Sequence, residues 1–428
     1  MHELFVLLVL VIIASLIFDY INGFHDTANS IATVVSTRVL RPSQAVMMAA
    51  VLNLVGAFLG VEVAKTIGKG IVDTGSITQL TVLSALIGGI IWNLITWYYG
   101  IPSSSSHAII GGLCGSSAAY GGLSVIKMNG LVQKVFLPMI ISPILGITIG
   151  FFFMLSLYWL LAKQKPGVVN RRFSKLQLLS AGLMSLSHGS NDAQKTMGII
   201  TMALISYTVF SVSNSDASKL HDSRYASIAP ITHISKEKRT EIISKFINEG
   251  GVIKNDHSIY QAFKKIDEKG SIEDNNLVRI EELDPVTVRD IQLSLANKEL
   301  KADTRREIKF QVPAWVIFAC AIAMAMGTLA GGWKIIHTLG SKMIKLQPIH
   351  GFAAETSAAI MILSASHFGM PVSTTHIIST SIMGVGASKR FSAVKWGIVK
   401  NIVVAWILTF PVSFGIGWIS YHILNLFF

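Results

Sequence analysis

Charged side chains are scarce in most of this sequence. Only 14% of its 428 residues are Asp, Glu, Lys or Arg, 51% are apolar, and the mean hydropathy is +0.55. Because about 20 mostly apolar residues span a bilayer, we expect an all-α polytopic membrane protein with about 10 to 12 membrane segments, half-crossings included. Seven stretches contain no charged residue: 42–61, 74–126, 135–162, 196–215, 310–333, 356–388 and 401–428.

Cysteine is also rare, and the start of the chain lacks a basic segment. Cys114 and Cys320 both lie in apolar stretches, which excludes a disulfide framework and a cysteine-based metal cluster. The N-terminal residues show no small-residue cleavage site either. We therefore predict that residues 4–21 form a retained first span.

Acidic residues are fewer than basic ones, but the net charge of +12 does not indicate a nucleic-acid partner. Of the 36 basic and 24 acidic residues, 17 of each fall in 214–311, which leaves 19 basic and 7 acidic residues elsewhere. Basic residues in short loops mark the cytoplasmic side of a membrane. Arg38, Arg41 and the basic group within 163–175 thus predict cytoplasmic loops, with both termini outside.

Three pairs of polar motifs recur in the same order, which indicates an internal duplication. Asp26 and His107 are 81 residues apart, whereas Asp192 and His376 are 184 apart, a difference close to the length of the charged segment 214–311. Duplicated halves with broken polar helices are typical of secondary transporters. The pairs are Asn22…Asp26…Asn29-Ser30 with His188…Asp192…Lys195-Thr196, Ala64–Gly68 with Ile336–Gly340, and Gly100–His107 with Gly369–His376.

This duplication sets the predicted domain boundaries. We expect a first membrane repeat over 1–162 and a linker with the start of the second repeat over 163–213. A soluble, helical, charged insertion follows over 214–311, because no apolar run there is able to span a membrane. The second repeat then resumes over 312–428. The sequence alone leaves open whether the repeats are parallel or inverted.

Ionisable residues within the apolar segments are the first candidate site residues. Such groups at membrane depth usually mark an ion or substrate pathway. Asp26 and Asp192 can coordinate a cation or carry a proton; the alternative is a structural ion pair, for instance with Lys195. His25, Asn191 and Glu355 are further candidates for cation or proton coupling.

Two Ser/Thr runs follow the prolines of the third motif pair. The backbone N–H groups and positive end of a helix N-terminus bind anions, and hydroxyls add donors. The alternative is helix capping and close helix contact. His107 and His376 follow the runs as donors or as packed side chains. The candidate oxyanion-binding residues are Ser103, Ser104, Ser105, Ser106, Ser373, Thr374, Thr375, Asn29, Lys195 and Thr196.

These motifs closely resemble those of the PiT inorganic phosphate transporter family. The resemblance rests on Gly23–Asn29, Ser187–Lys195 and Gly369–His376, and covers everything except 214–311. His25 and Lys195 look most like the bacterial low-affinity branch. The resemblance implies inverted repeats, phosphate bound between Ser/Thr hairpins, and sodium or metal–phosphate sites at Asp26 and Asp192. It also implies the bacterial inner membrane and proton symport, often of a neutral metal–phosphate complex.

Other functions fit parts of the pattern. The same fold with different ions gives a sodium-coupled phosphate symporter or a sulfate permease. A membrane-embedded hydrolase with a serine near His107 or His376 is disfavoured, because an enzyme seldom needs two copies of a nucleophile site. A phosphate sensor that signals through 214–311 is a further alternative. We expect no enzyme activity and no cofactor beyond the co-transported ion. The expected partners are phosphate and the lipid bilayer, and the family resemblance implies a second copy in a homodimer.

Overall fold

The computed structural model describes residues 2–72, 77–214, 252–253, 278–279 and 311–428. The chain divides into two units, residues 1–211 with 312–428, and residues 212–311. Within the second unit, strands β1 (Val252–Ile253) and β2 (Val278–Arg279) pair antiparallel. Most of the predicted helical insertion over 214–311 lies outside the described residues.

The first repeat is helical and ends where α8 begins. A 3-10 turn at Leu123–Val125 precedes α6, and a π turn at Val132–Phe136 joins α6 to α7. The helices are α1 (His2–Ser36), α2 (Pro42–Gly56), α3 (Glu62–Lys69), α4 (Gln79–Tyr99), α5 (Ser105–Gly121), α6 (Met128–Leu131), α7 (Leu137–Leu160) and α8 (Pro166–Asn214).

The second repeat starts with α8 and continues after the charged segment. A π turn at Thr338–Lys342 extends α10, and a 3-10 turn at Phe391–Ala393 precedes the last helix. These helices are α9 (Ala314–Ala330), α10 (Trp333–His337), α11 (Pro348–His367), α12 (Thr374–Lys389) and α13 (Trp396–Leu424).

Few helices are long and apolar enough to cross a bilayer alone. Among the described residues four qualify, namely Leu4–Ser36, Gln79–Tyr99, Met128–Leu160 and Trp396–Leu424, and α9 with α10 forms a fifth bent by 62°. The other helices are shorter or more polar, as expected for elements that line a polar interior. The protein is thus all-helical and polytopic in this unit, with broken helices.

The charge-free stretch 42–61 does not form a continuous span. Helix α2 has 15 residues and ends at Gly56, too few for a crossing at 1.5 Å per residue. The polar residues 62–69 that follow form the short helix α3. A sequence without charges therefore does not by itself guarantee a continuous span.

The helix breaks lie at the third motif pair, as the glycines and prolines predicted. Gly100 ends α4 with φ +65°, and Gly369 has the same φ of +65° after α11. Glycine adopts this left-handed conformation without steric cost. In the first repeat the chain then turns through Pro102 and begins α5. In the second repeat it turns through Pro371 and begins α12. The two hairpins are therefore matching structures.

The Asp26 and Asp192 motifs, in contrast, do not interrupt their helices. The duplication predicted broken polar helices, but α1 runs continuously from His2 to Ser36 and α8 from Pro166 to Asn214. The polar side chains of these motifs face other protein elements and are buried. A helix keeps its backbone bonds satisfied, so polar side chains alone do not break it.

Helices α1 and α8 contact each other in opposite directions. Asn22 of α1 lies beside Asp192 of α8, whereas Thr37, near the C-terminal end of α1, lies beside Gln177, nearer the N-terminal end of α8. The two helices carry equivalent motifs, so their antiparallel contact is the arrangement expected of inverted repeats.

The repeats also pack crosswise. Helix α5 of the first repeat packs on α13 of the second, where a Cβ on Gly417 would lie 2.5 Å from the Gly112 carbonyl oxygen. Helix α12 of the second repeat packs on α7 of the first, where a Cβ on Gly150 would lie 2.6 Å from the Ser381 carbonyl oxygen. Glycine permits such close backbone contact between membrane helices.

The second motif pair supports the two hairpins. Thr338 Oγ1 donates 3.0 Å to the carbonyl oxygen of Gly100, across the repeats. Thr66 lies in the equivalent place, because a Cβ on Gly369 would be 3.1 Å from Thr66 Oγ1. Each threonine therefore packs against the break of the opposite repeat.

Candidate functional site

Asp26 on α1 accepts hydrogen bonds from both hairpins. Ser105 Oγ, at the start of α5, donates 2.7 Å to Oδ2, and Thr375 Oγ1, on α12, donates 3.2 Å to Oδ1. Nδ1 of the adjacent His25 lies 2.9 Å from Oδ1. Three donors thus surround a carboxylate that is only 2% exposed, which is how a buried charge is stabilised.

Asp192 on α8 occupies the equivalent place in the second repeat. Lys195 Nζ lies 2.6 Å from Oδ1, in a buried ion pair. Asn22 Nδ2 and Thr374 Oγ1 each donate to Oδ2 at 3.5 Å. The structural ion pair with Lys195 is therefore present, and it lies inside the site rather than apart from it.

The duplication is visible in these contacts. Ser105 and Thr374 are the first residues of α5 and α12, and each donates to the aspartate of its own repeat. Asn29 joins the two sides, because its Nδ2 donates to Thr374 at 3.2 Å and to Thr375 at 2.9 Å. The positive ends of both helices thus point at one cluster.

The other predicted hydroxyls hold the hairpins in shape. Ser104 and Ser373 are the N-caps of α5 and α12, each accepting from the histidine N–H three residues on at 3.2 Å. Ser106 Oγ donates 3.0 Å to the Val372 carbonyl oxygen, and Asn191 Nδ2 donates to the same oxygen at 3.3 Å. Capping and contact, the alternative reading of the runs, therefore accounts for these residues.

Ser103 supports His25 rather than Asp26. Its Oγ donates 2.8 Å to Thr96 Oγ1 and lies 3.4 Å from His25 Nε2. His25 Nε2 is also 3.1 Å from Thr96 Oγ1. These two hydroxyls hold the His25 ring in place beside Asp26.

A cation can be held between the two aspartates. Ligand atoms from Asp26, His188 and Asp192 all lie within 4.8 Å of one another, and all three residues are buried. Carboxylate oxygens suit hard cations such as sodium or magnesium, and the imidazole nitrogen extends the choice to transition metals. The sequence indicates His188 as a residue that flanks the second motif and as a candidate proton carrier, and the antiparallel contact of α1 with α8 brings it into this group.

Glu355 on α11 does not join the two aspartates. Its oxygens accept from Thr33 on α1 and from Ser180 on α8, and from Gln177 Nε2 at 3.2 Å. It is fully buried. Glu355 is therefore a second buried carboxyl centre.

Thr196 turns away from the hairpins toward a residue that sequence reasoning missed. Its Oγ1 donates 3.0 Å to Oδ1 of Asp19, a fully buried carboxyl on α1. Asp19 lies seven residues before Asp26, about two helical turns away on the same face. That spacing was the signal available in the sequence.

His107 and His376 are packed side chains. Their ring centroids are 4.9 Å apart, and the His376 ring lies 4.0 Å from that of Trp406. Neither contacts Asp26 or Asp192 through a hydrogen bond among the described residues. Trp406 Nε1 in turn donates 3.1 Å to the Pro102 carbonyl oxygen and so fixes the first hairpin.

Every predicted site residue is enclosed by protein. None of the candidates on α1, α5, α8, α11 and α12 is more than 3% exposed. The cluster combines two carboxylates, one ammonium group and hydroxyls at two helix N-termini. Such a set binds a small oxyanion together with a cation.

Comparison with known proteins assigns the family. Residues 22–171 and 162–417 match the phosphate transporter family. The chain belongs to this family. A probable low-affinity inorganic phosphate transporter of Bacillus subtilis is 38% identical over the full length of both chains. One of Rhizobium meliloti is 39% identical, covering 96% of this chain and 94% of the relative.

More distant relatives agree. A low-affinity inorganic phosphate transporter of Escherichia coli is 30% identical and covers 98% of this chain and 97% of its own length. These relatives are transporters, so the family assignment is to a transport protein and not to an enzyme.

A solved structure supports the fold. A chain described as the sodium-dependent phosphate transporter matches with a TM-score of 0.67 and 21% identity, covering 99% of this chain and all of that one. At that identity the likeness establishes the architecture only. This phosphate transporter family member is therefore an integral membrane protein with the fold that its motifs predicted.

Proposed function

We propose that this protein imports inorganic phosphate across the bacterial inner membrane by symport with protons. The observation that carries the proposal is the hydrogen bonding of Ser105 and Thr374 to Asp26 and Asp192. It joins two helix N-termini and two carboxylates from inverted repeats in one enclosed cluster. The hydrogen-bond donors suit a phosphate, and the carboxylates suit its companion cation.

Phosphate would bind where the hairpin hydroxyls now meet the carboxylates. Ser105, Thr374 and Thr375 are at the first turns of their helices, where backbone N–H groups are free of intrahelical partners. Asn29 and Lys195 add an amide and an ammonium group beside them. These groups are the usual ligands of a tetrahedral oxyanion.

A phosphate at this place needs a companion cation. Two like unit charges 4 Å apart repel by about 4 kcal/mol near a protein surface, and phosphate would face both Asp26 and Asp192. A proton or metal ion bound by the carboxylates removes this repulsion. Binding of the anion and the cation therefore favour each other, which is the thermodynamic requirement for symport.

Three features support protons as the coupling ion. Lys195 already supplies a resident positive charge to Asp192 at 2.6 Å. His25, an imidazole that can exchange protons, is bonded to Asp26, and its Nε2 faces the Thr96 hydroxyl. Glu355 is a further buried carboxyl for proton transfer. In transport of a neutral metal–phosphate complex, a metal ion between Asp26 and Asp192 would offset the same repulsion between phosphate and the carboxylates.

Release requires the cluster to open to one side at a time. Several contacts join the repeats across it, among them Thr375 with Asp26 and Ser106 with the Val372 carbonyl oxygen. Rocking of one repeat against the other would break these contacts, as in alternating access. The enclosed cluster corresponds to a closed state between the two openings.

The decisive experiment is uptake of labelled phosphate into proteoliposomes under separate proton and sodium gradients. We expect accumulation under an inward proton gradient without sodium. Uptake that ignores the pH gradient but follows sodium contradicts the proposal. Addition of unlabelled sulfate, and of magnesium with and without a chelator, tests anion selectivity and the metal–phosphate form.

Sodium coupling is the second candidate, favoured by one observation. The oxygens of Asp26 and Asp192 and a nitrogen of His188 lie within 4.8 Å of one another, close enough to ligate one ion. In that case phosphate uptake rises with sodium at constant pH, and His188→Ala lowers the apparent sodium affinity. The solved relative described as sodium-dependent shares the fold.

A further inference from the structure

A continuous polar stripe runs along one face of α1. Its members recur every three or four residues, the period of a helix face, from Ser15 through Asp19 and Asn22 to Asp26, Asn29 and Thr33. All are at most 2% exposed. The stripe passes through the phosphate cluster at Asp26 and continues for two turns to Asp19. Asp19 is the carboxyl on this stripe that the transport mechanism has not used.

The surroundings of Asp19 supply few donors. Oδ1 accepts a single hydrogen bond, from Thr196 Oγ1 at 3.0 Å. Oδ2 has no hydrogen-bond partner among the residues that the structure describes. The Cys320 thiol of α9 lies against the carboxyl. Asp26 and Asp192, in contrast, each receive at least three donors, one of them a charged or ionisable group.

The neighbours of Asp19 on the stripe also lack partners. Asn22 Oδ1, one turn after Asp19, has no donor, and Ser15 Oγ, one turn before, makes no hydrogen bond within the described part of the chain. Two buried acceptor oxygens, Asp19 Oδ2 and Asn22 Oδ1, therefore have no donor within the described part of the chain, which is costly. A proton on Oδ2 of Asp19 removes the charge and adds the missing donor. The neutral carboxylic acid is the form that this environment accommodates.

We propose that Asp19 is the group that carries the co-transported proton, bound on its Oδ2, while Thr196 donates to Oδ1. This inference rests on the proposed proton symport and names the atom that binds the proton during transport. The O–H bond forms with a proton from water on the side of uptake and breaks by return of that proton to water inside. The titratable and charged groups that face Asp19 are Asp192 and Lys195 of α8 and Cys320 of α9.

The contact with Thr196 explains how the proton is coupled to phosphate. Thr196 follows Lys195 directly, and Lys195 holds Asp192 in the phosphate cluster. An ionised Asp19 would add a third negative charge to this end of the cluster and compete with Asp192 for Lys195. A protonated Asp19 leaves Lys195 with Asp192 and reduces the repulsion of phosphate. Proton binding and phosphate binding therefore reinforce each other.

The role is not a by-product of the duplication. The position on α8 equivalent to Asp19 is Ser185, since Asp26 and Asp192 are equivalent. Ser185 Oγ donates 2.8 Å to the Ala181 carbonyl oxygen of its own helix. Only one of the two repeats thus places a carboxyl here. Ser185 also provides a matched control that lies outside the transport site.

The test is transport by Asp19→Asn in proteoliposomes, with membrane voltage clamped by potassium and valinomycin. Wild-type protein should accumulate labelled phosphate about tenfold per coupled proton for each pH unit of gradient. We expect the Asp19→Asn variant, which keeps a neutral side chain, to exchange internal for external phosphate within about twofold of wild type. It should not accumulate phosphate, and its exchange rate should lose its dependence on pH. Ser185→Ala should behave as wild type.

The outcomes separate this inference from the proposed function. If wild-type protein accumulates no phosphate under a pH gradient, proton symport itself fails. If wild type and Asp19→Asn accumulate phosphate equally, the role of Asp19 alone is overturned. Accumulation by Asp19→Asn that has become insensitive to sodium, where wild type requires sodium, would instead make Asp19 a sodium ligand and also overturn it.

A second variant keeps the test open if Asp19→Asn inserts poorly. Thr196→Val removes the hydroxyl donor to Asp19 and leaves the carboxyl and the Cys320 thiol in place. Because that donor stabilises the ionised form, its loss should move the pH midpoint of phosphate exchange to more alkaline pH. An unchanged midpoint in this variant contradicts proton binding at Asp19.

Discussion

Thr375 donates a hydrogen bond of 3.2 Å to Oδ1 of Asp26, although the two residues belong to opposite repeats. The same carboxylate accepts from Ser105 of its own repeat through Oδ2. Asp26 therefore connects the two repeats through hydrogen bonds and is also a carboxylate of the candidate site. Any movement that separates the repeats must change the coordination of this carboxylate.

The first prediction concerns both aspartates. Asp26→Asn and Asp192→Asn should each abolish concentrative phosphate uptake while the protein still inserts in the membrane. Hydrogen bonds to charged groups contribute about 1.5–3 kcal/mol, so transport should fall roughly 10- to 100-fold or more. The measurement is labelled phosphate uptake normalised to protein in purified membranes. Near-normal uptake by either variant would contradict a central role for the pair.

The second prediction separates two adjacent serines. Ser105→Ala removes the donor to Asp26 and should raise the phosphate KM by about 10-fold or more. Ser104→Ala removes the N-cap of α5 and should lower stability by about 0.5–2 kcal/mol, with a smaller change in KM. Uptake kinetics and thermal unfolding in detergent measure the two effects. An equal rise of KM in both variants would show that Ser104 also binds phosphate.

The third prediction tests the crosswise packing of the repeats. A Cβ on Gly417 of α13 would lie 2.5 Å from the Gly112 carbonyl oxygen, so Gly417→Ala should destabilise the protein by about 1–3 kcal/mol. Gly415, two residues earlier, has no atom within 4 Å of such a Cβ. Gly415→Ala should be neutral or stabilise by up to about 1 kcal/mol. The measurement is thermal unfolding of the two variants side by side. Equal unfolding temperatures would contradict the close packing at Gly417.

The fourth prediction concerns orientation in the membrane. Cys114 and Cys320 are both buried, so a cysteine introduced at an exposed position should be the main site of labelling by a membrane-impermeant thiol reagent. We expect Phe428→Cys to react from outside and Gln164→Cys, in the basic loop between α7 and α8, to react only after permeabilisation. Parallel labelling of the unsubstituted protein gives the background. The reverse labelling pattern would show that the protein has the opposite orientation in the membrane.

The sequence by itself determined the class of protein and its duplication. Charge-free runs required membrane helices, because a bilayer tolerates few charges, and the matched glycines and prolines located both hairpins at 100–104 and 369–373. Asp26 and Asp192 were identified for the same reason, since a carboxylate in an apolar segment needs a function or a partner. These features are local, and each can be read from a short window.

The tertiary structure decided which side chains meet. His188 joined the two aspartates and Thr196 turned to Asp19, because α1 and α8 cross in opposite directions. Glu355 bonded with Thr33 because α11 packs on α1. Asp19 was overlooked because its helix partner is 177 residues away in sequence. Continuity of α1 and α8 through their polar motifs was also decided by packing, since buried neighbours satisfy the side chains while the helix satisfies its own backbone. The sequence showed Asp26 as a carboxylate in an apolar segment, where burial of a charge is costly. Only the folded chain shows that it is hydrogen-bonded to both repeats.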